Sequence, residues 1–139
     1  MNKTVFHKIV QHEIQAHVIW EDSEFMAFLD VLPIEPGHTI VIPKQPYMSL
    51  EEMPEEVVTK LFSLVRKIGG AMLTGLGVKG YSIFLDNIDK NYTIEEHIQY
   101  VHVHIVPRRD GYSLERRQQG AYDEGQAEEC VEKIKTTLS

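Results

Sequence analysis

Cysteine and positive charge are both scarce in this chain of 139 residues. Cys130 is the single cysteine, so no disulfide can form within the chain and no cysteine-based zinc site can be assembled. The formal net charge is −7, whereas a surface that binds nucleic acid is basic. These shortages predict a protein of a reducing, cytoplasmic compartment that does not bind nucleic acid.

Long apolar runs are also missing. No segment approaches the roughly 20 apolar residues that a membrane-spanning helix needs, and the start of the chain lacks the apolar region of a signal peptide. The hydrophobic content of 42% is that of an ordinary globular protein. We therefore expect one domain over residues 1–139 with no membrane partner, its core at about 4–108 and a polar loop and helix at 109–139.

Apolar spacing predicts three helices and five strands. Apolar residues recur every three or four positions from Pro54 to Thr74, which predicts a long helix, and Ser49 begins a capping-box pattern ahead of it. Shorter helices are expected at Val5–Gln11, with Thr4 as N-cap, and at Gln126–Thr137. Strands are expected at His17–Trp20, Phe25–Leu29, Thr39–Pro43, Tyr81–Leu85 and Tyr100–Pro107, the third and fifth ending at proline. The pattern predicts an α+β fold with a mostly antiparallel sheet.

The expected strand Tyr100–Pro107 carries the most chemical information. Valine and isoleucine alternate there with Tyr100, His102 and His104, which places two imidazoles and a phenol on one face. Repulsion between the neighbouring histidines would lower both pKa values and keep the rings neutral near pH 7. A neutral imidazole is a nucleophile or a metal ligand.

Two chemistries fit these side chains. In the first, His102 attacks phosphorus to form a covalent intermediate, and His104 donates hydrogen bonds to the phosphate oxygens as charge builds there. His38, which follows a proline–glycine loop, is the candidate for a third donor. In the second, the same three histidines bind zinc and leave one position open. The long amphipathic helix disfavours the nearly all-strand cupin barrels that use such a histidine pair.

Four segments, taken together, carry a resemblance to a known family. They are Phe6–Val10, Ala27–Pro33, Pro36–Lys44 and Tyr100–Arg108. In this order the chain resembles the histidine-triad (HIT) nucleotide hydrolases and transferases of the Hint and Fhit type, over about Val5 to Arg108. The resemblance implies a sheet of about five antiparallel strands with a long helix, a homodimer, and a purine nucleotide as ligand.

The resemblance also implies roles for individual residues. His102 matches the nucleophile that attacks the α-phosphate, and His104 and His38 match its phosphate-binding partners. Asp30 matches the carboxylate that accepts the ribose hydroxyls, and either Asp86 or Asn87 matches an asparagine near the ribose, with Asn87 taken as the site residue. The walls of the base pocket are matched by Phe6, Ile9, Phe28 and Val31, although a plain core position is an equal alternative for the two phenylalanines.

The chain departs from the family pattern at two places next to the phosphate. Tyr100 stands where the first triad histidine is expected, and a phenol can donate a hydrogen bond but cannot become a cation near neutral pH. The family's Gly-Gln corresponds to Glu95-Glu96-His97, where a carboxylate would repel a phosphate. These glutamates therefore either point away or change the substrate.

The zinc positions of metal-bearing relatives correspond to Thr4, His7, Pro46 and Tyr100, which predicts no metal. We expect a metal-independent hydrolase without a cofactor that acts on adenosine phosphoramidates or dinucleoside polyphosphates through a nucleotidyl-histidine. The alternative is a nucleotide-binding or dimeric interaction module with little turnover.

Overall fold

A computed structural model describes residues 3–95, 97–110, 114–115 and 118–138. The helices are α1 (Val5–Val10), α2 (Glu55–Gly75) and α3 (Gln126–Thr137), with a short 3₁₀ turn at Leu50–Glu52. The strands are β1 (Val18–Glu21), β2 (Phe25–Leu29), β3 (Thr39–Pro43), β4 (Gly80–Phe84) and β5 (Val103–Arg108). They form a five-stranded antiparallel sheet in the order β1-β2-β3-β5-β4, which confirms the predicted α+β fold.

The two faces of the sheet pack against different helices. Every residue of β2 is buried, and its side chains alternate between the faces: Ala27 and Leu29 pack with α2 and α3, whereas Met26 and Phe28 pack with α1. We call these the α2–α3 face and the α1 face. Strand β3 divides in the same way, with Val41 on the α2–α3 face. The two central strands thus support an apolar core on both sides.

Helix α2 lies close against β4. A Cβ atom at Gly69 would stand 2.2 Å from Cζ of Tyr81, so glycine at this position permits the contact. The capping prediction at Ser49 was wrong. Its side chain caps no helix, and the segment after it forms the 3₁₀ turn, with α2 beginning only after Pro54.

Strand β5 differs from its prediction at both ends. It begins at Val103 because the preceding Val101 donates its N–H to the carbonyl of Tyr47, in the loop that follows β3. It also continues through Pro107, which was expected to end it. The pairing with β3 stops where Thr39 faces Ile105, so Pro107 lies where β5 has a neighbour on one side only and a missing N–H is tolerated.

Helix α3 completes the α2–α3 face. Its buried residues Ala127, Cys130 and Ile134 belong to the same apolar cluster as α2. A Cβ atom at Gly75 would stand 2.2 Å from the carbonyl oxygen of Lys133, so glycine allows the two helices to approach closely. None of the helices in the described part of the chain combines the length and apolar character needed to cross a bilayer.

Candidate active site

A cavity of about 740 Å³ opens on the α1 face of the sheet. The four residues predicted for the base pocket all line it, and the rings of Phe6 and Phe28 lie 5.8 Å apart, centre to centre. Both phenylalanines are also buried in the cluster under α1, so they serve as core and as wall. The apolar part of the wall consists of Val5, Phe6, Ile9, Ile14, Ala16, Phe28, Leu29, Val31, Ile40, Ile88, Ile94 and Ile98.

Polar groups also line the cavity. They include two of the three candidate histidines, His102 and His104. His102 and His104 stand 5.0 Å apart, ring centre to ring centre. The polar residues of the wall are Gln15, Asp30, Asp86, Glu95, His97, His102, His104 and Gln119.

His102 is held with one nitrogen turned away from the backbone. Its Nδ1 lies 2.6 Å from the carbonyl oxygen of Tyr100, and since a carbonyl only accepts, Nδ1 carries the proton. The lone pair is therefore on Nε2. Burial lowers the pKa of His102, and the charge of His97 adds to this effect, while the Tyr100 carbonyl and Asp86 oppose it. Burial, rather than repulsion by His104, is thus the main reason for the low pKa and for a neutral ring.

His38 lies behind His104 and does not line the cavity. The N–H of Ile34 donates to Nδ1 of His38 at 3.0 Å, so the proton of the His38 ring is on Nε2. That nitrogen lies 2.9 Å from Nδ1 of His104, which therefore accepts and carries its own proton on Nε2. Burial and the nearby charge of Arg108 lower the pKa of His38 to about 4. The ring is neutral at physiological pH, and its effect on a ligand passes through His104.

Asp30 also lines the cavity, immediately after β2 and close to His38 and His104. Its Oδ1 accepts the N–H of Leu32 at 2.9 Å, and its Oδ2 lies 3.6 Å from Nε2 of His38. Burial raises the pKa of this carboxyl group, and the hydrogen bond from Leu32 acts against that rise. The carboxylate is fixed by the backbone and faces the cavity, as a group that accepts from hydroxyls would be.

Tyr100 has a different place from the one its position in the motif suggests. Its phenol is not part of the cavity wall, and the hydroxyl donates to the carbonyl oxygen of Pro43 at 2.7 Å. Burial raises the pKa of this phenol, which keeps it protonated. The contact between Tyr100 and His102 is made by the backbone carbonyl instead of the side chain.

Of the two alternatives Asp86 and Asn87, Asp86 lines the cavity and Asn87 does not. Its Oδ1 accepts the N–H of Leu50, and its Nδ2 donates to Glu51, each at 2.8 Å. These bonds turn Asn87 toward the 3₁₀ turn, while Asp86 lines the cavity. Glu95 also stands on the wall; Glu96 lies outside the described residues.

Several wall residues were not predicted. Ile88, Ile94 and Ile98 close the cavity from the irregular segment between β4 and β5, and Gln119 reaches it from the segment before α3. The only signal in the sequence was isoleucine recurring in a polar stretch without a helical or strand period. His97 was noted as a family departure, but its position beside His102 was not foreseen.

Among the described residues, Asp30, His38 and His104 place possible metal-ligand atoms within 4.8 Å of one another. The hydrogen bonds of His38 do not suit a metal ion there. A ligating Nε2 needs its lone pair, and the proton would then sit on Nδ1, where it would oppose the incoming N–H of Ile34. These residues therefore do not fit a metal site.

The positions that bind zinc in metal-bearing relatives fit no better. His7 accepts the N–H of Thr4 at Nδ1, at 2.9 Å, and so forms part of the cap of α1. The hydroxyl of Tyr100 is protonated and committed to a carbonyl, and Pro46 has no ligand atom. This cluster stabilises the start of the chain through hydrogen bonds and ring packing.

Comparison with known proteins matches residues 11–111 to the HIT domain family model. The chain is 30% identical over 104 residues to the adenosine 5′-monophosphoramidase hnt1 of Schizosaccharomyces pombe, covering 75% of this chain and 73% of that protein. It is 32% identical to the adenylylsulfatase HINT3 of Arabidopsis thaliana over 78% of this chain, but spans only 54% of that protein. A zinc-bound histidine triad family protein from Mycobacterium smegmatis shares its fold, with a TM-score of 0.80, 30% identity, and coverage of 96% of this chain and 91% of that one.

Proposed function

Since the chain belongs to the HIT domain family, we propose that it hydrolyses purine nucleotides at the α-phosphate through a nucleotidyl-His102 intermediate. Family membership and the names of its relatives, an adenylylsulfatase and an adenosine 5′-monophosphoramidase, support a nucleotide hydrolase in general. The substrate and the intermediate are our own proposal. We favour adenosine phosphoramidates or dinucleoside polyphosphates as substrates.

The observation that carries the proposal is the hydrogen bond from Nδ1 of His102 to the Tyr100 carbonyl, which leaves the Nε2 lone pair on the cavity side. In the first step, Nε2 forms a bond to phosphorus and the bond to the leaving group breaks. In the second, water attacks phosphorus and the bond to His102 breaks. The Nε2–H of His104 stabilises the negative charge on the phosphate oxygens in both steps.

The remaining wall residues suit the rest of a nucleotide. A planar base prefers the apolar wall around Phe6 and Phe28, and the ribose diol needs an ionised acceptor such as Asp30. A cavity of about 740 Å³ is within the range that holds small ligands. These features support a purine nucleoside monophosphate as the bound portion.

The experiment is the hydrolysis of a fluorogenic adenosine phosphoramidate by the wild type and by His102→Ala. Loss of the nucleophile should lower kcat by about 10³-fold or more, while AMP still binds by calorimetry. The control is His12→Asn, because His12 is exposed, and asparagine tolerates its positive φ of 62°. Equal rates for the wild type and His102→Ala would reject the mechanism.

A second candidate function is nucleotide binding with little turnover. Glu95 and Asp86 place carboxyl groups on the same wall as His102, where they would oppose a phosphate. This function predicts that AMP binds by calorimetry while a broad panel of nucleotide substrates shows no hydrolysis. Turnover of any member of the panel that depends on His102 would decide for the enzyme.

The homodimer implied by the family resemblance stays a prediction. Strand β4 is at the edge of the sheet, and Ile83 within it is 45% exposed, which leaves apolar surface at that edge. Sedimentation velocity at micromolar concentration measures the oligomeric state directly. A single species with the mass of one chain would contradict the prediction.

A further inference from the structure

Nε2 of His97 is, within the described part of the chain, the one buried side-chain nitrogen or oxygen without a hydrogen-bond partner. Leaving such an atom unpaired costs about 1–3 kcal/mol, and native structures hold few of them. His97 lines the cavity, so a bound ligand can supply the missing partner.

The ring of His97 lies beside the nucleophile. Its centre is 6.1 Å from that of His102, with 30° between the ring planes. The backbone N–H of His97 donates to the backbone carbonyl of Ile94 at 3.0 Å, which fixes the main chain at this point. Since both residues line the same cavity, a nucleotide derivative attacked at phosphorus by His102 would also lie next to His97.

The other rings of the site are already committed. His102 uses Nδ1 for the Tyr100 carbonyl and Nε2 for attack, and His38 donates to His104. A leaving group that departs as a strong base needs a proton, which a positioned acid supplies with a typical gain of about 10²–10⁴ in rate. Among the described histidines that line this wall, His97 is the one whose ring has no role assigned above.

We propose that His97 is the general acid that protonates the leaving group, an inference that rests on the proposed function. As Nε2 of His102 bonds to phosphorus, the leaving atom takes the electron pair of the breaking bond and receives the proton from Nε2 of His97 in its imidazolium form. When water then attacks phosphorus, the electron pair of the phosphorus–nitrogen bond returns to His102, and His97 takes a proton from the water. The sum is nucleotide derivative plus water to nucleoside monophosphate plus protonated leaving group, with both histidines restored.

The proposal assigns a substrate class. A basic leaving group, such as an aliphatic amine or an alcohol, gains most from His97, whereas a group that departs as a stable anion gains little. The enzyme should therefore discriminate in favour of phosphoramidates with basic amines when His97 is present, and lose that preference when it is replaced.

The test compares two substrates with the same adenylyl portion, an aliphatic adenosine phosphoramidate and the 4-nitrophenyl ester of AMP. His97→Asn should slow the phosphoramidate by about 10²–10⁴-fold and the ester by less than about tenfold. Glu95→Gln, a change at the neighbouring carboxyl group on the wall, and His12→Asn should leave the ratio of the two rates unchanged. Both rates are measured on the same sample, so the ratio is independent of the folded fraction.

Each outcome decides a different point. Equal slowing of both substrates by His97→Asn, or no effect on either, would overturn the role of His97 as an acid. A change of the rate ratio with Glu95→Gln alone would assign the proton to that carboxyl group instead. Unchanged rates in His102→Ala would reject the proposed function itself, whatever the His97 variant does.

Discussion

The two faces of the sheet are covered by helices of very different length. On the α2–α3 face, helices of 21 and 12 residues cover an apolar cluster, whereas on the α1 face a helix of 6 residues covers only part of the surface. The uncovered part is the cavity that holds His102 and His104. The lengths of the covering helices thus distinguish the two faces. The α2–α3 face stabilises the fold, whereas the α1 face keeps buried polar groups within reach of a ligand.

Truncation on the α2–α3 face should give the largest effect. Leu61→Ala removes a fully buried side chain of α2 and should lower the free energy of unfolding by about 2–5 kcal/mol. Urea unfolding measures the loss, and kcat per folded molecule should not change. Phe62→Ala, at a neighbouring side chain that is 39% exposed, is the control and should cost about 0.5 kcal/mol or less. A large drop in kcat of folded Leu61→Ala would contradict the separation of the two faces.

Acid should destabilise the protein through the α1 face. The pKa of His38 is about 4 in the folded protein against 6.5 ordinarily, so between these pH values the unfolded state binds more protons. Stability therefore falls as the pH is lowered from 6.5 to 4, by up to about 3 kcal/mol for this group. Urea unfolding at a series of pH values measures the slope, and His38→Asn should flatten it. An unchanged slope in His38→Asn would mean that other groups cause the acid sensitivity.

Asp30→Asn should weaken nucleotide binding while leaving the fold in place. Asparagine still accepts the N–H of Leu32 but loses the charge that would hold the ribose hydroxyls. Hydrogen bonds to charged groups contribute about 1.5–3 kcal/mol, so AMP affinity should fall by about tenfold to a hundredfold. Calorimetry with AMP and with its 2′,3′-dideoxy analogue measures this, and the analogue should bind both proteins equally. Equal loss for the analogue would place Asp30 away from the ribose.

Tyr100→Phe should give the smallest effect and tests whether the phenol belongs to the site. The variant loses the hydrogen bond to Pro43, which should cost about 1–2 kcal/mol of stability, while the backbone carbonyl still holds His102. Thermal unfolding and phosphoramidate hydrolysis are measured side by side, and kcat should stay within about threefold. A marked fall in kcat with unchanged stability would show that the phenol itself supports the nucleophile.

Regular alternation made the centre of the fold predictable from sequence. Around β5 one set of side chains is apolar and packs under α2, so the intervening histidines had to lie together on the other face. A different signal, a short and nearly continuous apolar run, predicted β2 and β3 with their observed bounds. Two interrupted features failed: Ser49 stands ahead of a 3₁₀ turn, and Pro107 lies within a strand.

The side-chain directions in the irregular segment between β4 and β5 could not be predicted from a periodic pattern. Its apolar residues follow neither a helical nor a strand period, so the sequence could not predict which way neighbouring side chains such as Asp86 and Asn87 point. Only the hydrogen bonds of Asn87 to the 3₁₀ turn decide which of the two faces the cavity. The position of His97 beside His102 depends on the same folded segment.

Because the main-chain N–H of Ile34 donates to His38, this hydrogen bond does not depend on the side chain at position 34. No exchange of one side chain for another at that position deletes the amide hydrogen, and proline is the single replacement that lacks it. Which ring nitrogens of His38 and His104 carry a proton accordingly depends on the backbone of the loop that contains Ile34. Substitutions elsewhere in the chain can preserve this arrangement as long as that backbone keeps its conformation.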